Sequence, residues 1–329
     1  MPHGNAFLTH GSKVVFGTFG IIMLQIAPIL AVESTRDRSI DTVIHAPVPP
    51  IDQAVPLISR VGPPSDPTIQ TFLDAGATSV REHRLSSEDQ RAVASALAEL
   101  PSLHRSVLIK HLRRLSFVDA PASMGSALTS RVEVDDGDPQ FDITLSAGLL
   151  RETLTRFLNR KEKNLFRADE SRNKVYIDAG TSSVLTYVLL HETTHVVDLV
   201  LGSSSQGLHV LHEGVWKDGA TSLETHYDIE PLQRILWRGG KVLPLAEAPA
   251  VYEALGMTPF VSLYAATAAG EDVAETVAWY ELATRYDVDL RIEVRDKHDT
   301  LLIALEPLKS PLVRARFAEI KQLLKGKIR

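Results

Sequence analysis

Apolar positions recur along this chain at helical spacing in some stretches and at alternating spacing in others, and that rhythm predicts its elements. Ser87-Glu88-Asp89-Gln90 resembles a capped start, after which Val93, Leu97 and Leu100 share one helical face. Pro101 opens a second helix, expected to run to about Leu115. Residues 119 to 139 carry Pro121, Gly125, Asp135, Asp136, Gly137 and Pro139 and read as loop. Phe141 to Leu145 alternates as a strand does, and Lys174 to Asp178 is a second short strand. Between them, Leu149 to about Phe166 reads as an amphipathic helix with a basic end. A strongly apolar helix is expected from about Val184 to Leu201, started by Ser182 or Ser183 and stopped by Gly202. Residues 203 to 262 mix short apolar pieces with Gly, Ser and Pro. A long helix (about Glu271 to Tyr286), a strand (Leu290 to Val294) and a basic helix (Pro311 to Leu324) complete the pattern.

The N-terminal stretch breaks this rhythm. Lys13 precedes an uncharged run from Val14 to Val32, with small Ala31 just before acidic Glu33. That layout predicts a secretory signal peptide over residues 1–31, cleaved after Ala31. The alternative is an uncleaved membrane anchor, since residues 14–32 are about long enough to span a bilayer, although Gln25 and Pro28 weaken it. Both place the rest of the chain outside the cytoplasm, periplasmic or extracellular. Residues 32–67 are Pro-rich and predict a linker, extended or without fixed structure. Residues 68–118 then form a helical lead-in and 119–329 the main domain, with no internal repeat.

Composition narrows the chemistry. The 329 residues are 44% hydrophobic and 23% charged, enough for a sizeable core. A net charge of -6 and no basic stripe argue against a nucleic-acid partner. The absence of cysteine excludes a thiolate-ligated metal, a disulfide framework and a thiol nucleophile.

One motif then stands out, His191-Glu192-Thr193-Thr194-His195. Two histidines four apart on a helix lie on one face and can grip one ion. A hydrolytic zinc takes three protein ligands and keeps a fourth position for water, whose pKa it lowers to about 7. Glu192, beside the pair, is then suited to take that water's proton as general base. The surrounding helix is rich in Leu and Val, so it is expected to be buried, and buried polar side chains need partners. Zn2+ supplies them.

The third ligand must come from elsewhere. A metzincin would have Gly at 198 and His at 201, where this chain has Asp198 and Leu201. Glu271 and Glu275 are four apart near the start of a helix, so the first can bind metal and the second can hold the far nitrogen of a ligand histidine. The same pair also suits a plain acidic first turn favoured by the helix dipole.

With these residues the chain resembles the gluzincins, zinc peptidases in which HExxH is completed by a Glu on a later helix. Its spacing is most similar to the branch containing anthrax lethal factor and the bacterial Pro-Pro endopeptidases. There the ligand Glu begins an E-x-x-x-E pattern and a Tyr stands seven residues before it. Tyr264 stands seven before Glu271. The resemblance implies that His191, His195 and Glu271 bind zinc, that Glu275 orients a ligand, and that Glu192 and Tyr264 are catalytic. Tyr264 would stabilise the oxyanion. It also implies an α+β, zincin-like fold, mainly helical, with a small mixed sheet over the HExxH helix. An edge strand, from Phe141–Leu145 or Lys174–Asp178, would hold an extended peptide. The expected function is that of an exported metallopeptidase acting on a peptide or protein substrate. A zinc-binding protein of the same fold that acts only through protein contacts is the alternative.

Other polar clusters read as incidental. His209, His212 and Glu213, and likewise His226 and Asp228, are expected on the surface; Asp198 fits either solvent or a ligand's ring nitrogen. Ser203 to Ser205 read as a loop, and Lys321, Lys325, Lys327 and Arg329 as a basic helix end.

Overall fold

Ser86 starts the first long helix by exchanging bonds with Asp89: its hydroxyl accepts from the Asp89 N–H, and the Asp89 carboxylate accepts from the Ser86 N–H. The computed structural model describes residues 22–23, 49–121, 125–132, 134, 137–202 and 208–326. In chain order these form β1 (Ile22–Met23), α1 (Asp66–Asp74), β2 (Arg81–Glu82), α2 (Ser87–Glu99) and α3 (Ser102–His111). Next come β3 (Leu112–Asp119), β4 (Ala127–Val132), β5 (Gln140–Ser146), α4 (Leu154–Glu162), β6 (Phe166–Arg167) and β7 (Lys174–Asp178). The motif helix is α5 (Val184–Leu201), followed by α6 (Glu230–Gln233), β8 (Leu243–Pro244), α7 (Ala248–Gly256) and α8 (Ala269–Arg285). The chain closes with β9 (Arg291–Arg295), β10 (Leu301–Leu305) and α9 (Pro311–Gly326).

The architecture is α+β. A mixed sheet has the order β1-β4-β5-β3-β2, with β3 and β5 parallel and the remaining pairs antiparallel. An antiparallel sheet β10-β9-β7 and a parallel pair β6-β8 complete the set among the described residues. One continuous apolar cluster runs from Val93 to Leu324, so the expected lead-in and the main domain share a core. Helix α5 lies inside it. Its length and apolarity would also suit a membrane span, but 72% of it is buried within the protein. Ser183 caps its start and Gly202, at φ +51°, ends it.

Several expectations need correction. Helix α3 stops at His111 rather than near Leu115, because the buried Arg60 guanidinium donates to the carbonyls of Leu108, Ile109 and Leu112. The same bonds show that residues 49–67 are not a free linker. A 3-10 turn at Leu57–Arg60 packs on the core. The stretch read as loop, 119–139, contains β4, whose Thr129, Ser130 and Arg131 carry no apolar pattern but pair with Ile143, Asp142 and Phe141 of β5. The helix expected over 149–166 is confined to α4, flanked by 3-10 turns. Of the expected signal peptide or anchor, Ile22–Met23 is described, paired with Leu128 and Thr129 on the outer edge of β4. The rest of that segment, Ser203 to Ser205, Lys327 and Arg329 lie outside the described residues.

Strand position bears directly on where a peptide can bind. β5 is flanked on both sides by β4 and β3, so it offers no free edge. β7 is an edge, but α4 covers it. The Asn159 amide donates to the Ile177 carbonyl at 2.6 Å and accepts from the Ile177 N–H at 3.0 Å. Beside the motif helix, β4 pairs on its outer side with β1 at Leu128 and Thr129 and is otherwise an edge among the described residues.

Candidate metal centre

His191 and His195 stand one turn apart on α5, with ring centroids 4.8 Å apart. Helix α8 packs against α5 and presents Glu271 and Glu275, also one turn apart, to the same face. His191 Nε2 lies 3.1 Å from His195 Nε2 and 3.1 Å from a Glu271 oxygen, and His195 Nε2 lies 3.7 Å from that oxygen. Tetrahedral zinc ligands at about 2.0–2.1 Å from the metal stand roughly 3.3 Å from one another. The three donor atoms are therefore already at ligand spacing. Among the described residues, His191, His195 and Glu271 form a buried group that can hold a metal ion.

The protonation pattern supports that use. His191 Nδ1 lies 3.0 Å from Glu275 Oε1, and a carboxylate only accepts, so the ring proton sits on Nδ1. Once Nε2 gives up its own proton, its lone pair points toward Glu271 and His195. Three lone pairs converging in a buried site repel each other unless a cation lies between them. Burial disfavours a charged His191, yet hydrogen bonds to Glu271 and Glu275 outweigh it and hold the ring up to about 10. The site thus favours positive charge, which a metal ion can supply in place of a proton.

Glu275 is a fully engaged carboxylate. It accepts from His191, from the Tyr187 hydroxyl, and from Ser262 Oγ at 2.6 Å. Burial pushes its carboxyl up, but the His191 bond prevails and holds it below the usual range. Glu192 is different. Its Oε2 accepts from Thr129 Oγ1 of β4 at 2.6 Å, while Oε1, equally buried, has no partner among the described residues. Burial pushes its pKa up, partly offset by His191 and His195. A buried carboxylate oxygen left open beside a metal group is what a bound water or substrate would complete.

Tyr264 lies in the turn before α8, 6% exposed, its ring 6.0 Å from that of His191. Burial and the charge of Glu271 push its phenol well above the usual value, so it stays protonated and able to donate. Tyr187, Ser262 and Thr129 were not singled out by the sequence. Tyr187 alone had a signal, standing one turn before His191 on the same face.

The other clusters stay apart. His226, Asp228 and Glu213 are exposed. Asp198 is half-buried, outside the ligand group, where its charge acts on His212. His212 belongs to the turn at Leu208–His212, which α9 holds through the bond from Arg316 to the Leu211 carbonyl. The side chain of His209 is outside what the structure describes.

Beneath the centre, two buried contacts fix the helices. His104 of α3 lies 3.0 Å from Thr194, whose hydroxyl donates to the Leu190 carbonyl, so the histidine is the donor and α3 is tied to the motif. Asp272, next to Glu271, accepts from Trp216 Nε1 and pairs with Arg316 of α9. No protein-family model, curated protein or solved structure matches the chain.

Proposed function

We propose that this protein is an exported zinc metallopeptidase of the gluzincin type, with a zincin-like fold. The observation that carries the reading is the open Oε1 of Glu192, buried beside the converging His191, His195 and Glu271 donors. Binding alone requires no base there. A zinc ion held by those three residues would supply Lewis acidity to a water and to the scissile carbonyl.

The chain's own groups do the rest. Glu192 Oε1 takes a proton from the water as its oxygen adds to the carbonyl carbon, and passes it to the amine nitrogen as the C–N bond breaks. Thr129 holds the other oxygen of that carboxylate and so fixes its direction. Tyr264 donates to the carbonyl oxygen as negative charge gathers on it. Glu275 keeps the proton of His191 on Nδ1, which leaves Nε2 free to ligate. An extended peptide would pair with the outer side of β4, the strand that carries Thr129, in the place that β1 takes at Leu128 and Thr129 and that cleavage after Ala31 would free. Export rests on the charge and apolar pattern of residues 1–31.

The test is metal analysis of purified protein together with digestion of a peptide library, wild type beside Glu192→Gln. Zinc bound by both and cleavage by wild type alone is the expected result. Cleavage that survives in Glu192→Gln would sink the mechanism, and a wild type without zinc would sink the site. Zinc without cleavage in either would favour the binding protein.

A further inference from the structure

Lys161 is the only lysine buried among the described residues, 4% exposed, near the C-terminal end of α4. Its ammonium has no hydrogen-bond partner among the described residues. It lies instead 3.4 Å from the centre of the Tyr264 ring, 5.3 Å from that of Trp237 and 5.9 Å from that of Phe157. Trp237 meets the Tyr264 ring edge-on at 5.3 Å. A lysine at a helix end ordinarily turns its charge to water. This one is enclosed by three aromatic rings behind the phenol assigned to the oxyanion.

The charges around it explain why. Glu192, Glu271 and Glu275 are buried carboxylates that all act on Lys161. A divalent ion offsets two of those negative charges and Lys161 offsets the third. Glu162, the next residue, enters the balance only in part near neutrality. Burial pushes its carboxyl up to about 7, and it accepts from the Tyr252 hydroxyl. Because Lys161 Nζ has no solvent access, it cannot touch a substrate, and it reaches the reacting atoms only through the ring it covers. A cation on the face of a phenol draws electron density from the ring and makes its O–H a stronger donor.

We propose that Lys161 is a positioning residue of the metal site: it holds the Tyr264 ring from behind and balances the third buried carboxylate. This rests on the peptidase reading for Tyr264 but not for the charge balance.

The test uses the full chain and zinc alone as the first probe. Zinc affinity is measured by competition with a chromophoric chelator for wild type, Lys161→Met, Lys161→Gln and Lys161→Arg, with a thermal melt to select folded variants. A neutral variant lacks a positive charge that opposes zinc, so it should bind the ion about 10-fold more tightly, while Arg stays near wild type. Damage to the fold would weaken binding instead. A folded neutral variant that binds zinc no more tightly than wild type overturns the charge balance.

The second arm measures peptide hydrolysis in a cycle with Tyr264→Phe. Lys161→Met should lower kcat roughly 10-fold or more with KM little changed, and should add nothing once Tyr264 is Phe. An equal loss in the Tyr264→Phe background overturns action through the phenol. A wild type that binds zinc yet cleaves nothing removes the peptidase reading and the role assigned to Tyr264, while the zinc arm still decides the charge balance.

Discussion

Thr129 donates its hydroxyl proton to Glu192 across the gap between β4 and α5, at 2.6 Å, and leaves the second carboxylate oxygen bare. Two residues 63 apart in sequence, one on a strand and one on a helix, thereby meet at the carboxylate proposed as the base. Thr129→Val keeps the shape and removes the bond. Glu192 already has a raised pKa through burial, and the Thr129 bond is one of the effects holding it down. Without it the pKa rises further. Since the base acts as a carboxylate, the acid limb of the kcat/KM profile should move to higher pH, with a loss of roughly 10-fold at pH 6 and less at pH 8. A pH–rate profile of both proteins checks this; an unmoved acid limb counts against Glu192 as the base.

Glu275→Ala should weaken zinc binding by about 10–100-fold, because His191 loses the acceptor that fixes its ring and tautomer. Tyr187→Phe removes a donor to the same carboxylate and should cost less. Chelator competition ranks the two. An alanine variant with undiminished affinity would show that Glu275 does not orient the ligand.

Part of this was legible in the sequence. The HExxH spacing and the E-x-x-x-E spacing are local, each set by a single helix, and the expected residues do converge. Thr129, Ser262 and Lys161 were not legible, because a side chain brought in from another element leaves no mark at fixed spacing. β4 was hidden for a related reason. Its residues Thr129-Ser130-Arg131 have turn-like composition, and only their pairing with β5 makes them a strand. The end of α3 is set by Arg60, 51 residues earlier than His111, and no helix-stop residue announces it.

His104 gives a stability test that needs no substrate. Burial pushes its pKa down from 6.5 to about 3, so the folded protein keeps it neutral where the unfolded chain would protonate it. A depressed folded pKa stabilises above pH 6.5, and that contribution is lost as pH falls toward 3. Between pH 7 and pH 5 this one residue should account for about 2 kcal/mol of lost stability. His104→Gln should flatten the dependence in urea unfolding at the two pH values. Equal slopes would place the acid sensitivity elsewhere.

Arg316→Leu should destabilise the fold by about 3–5 kcal/mol, since it strands Asp272 as a buried charge. Adding Asp272→Leu should recover part of the loss, because the uncompensated charge is then gone. Thermal melts of the single and double variants measure it. A double variant less stable than the single would show that the pair stabilises beyond mutual neutralisation.

The bond from Asp272 to Arg316 also has a meaning in time. A chain is made from its N-terminus onward, so residues 191–195 arrive long before the element whose Arg316 pairs with Asp272 of α8. Asp272, the residue after Glu271, gains its buried partner Arg316 only when α9 has docked. On the reading given above, cutting power would come only after residues well beyond the motif have been delivered and α9 has docked.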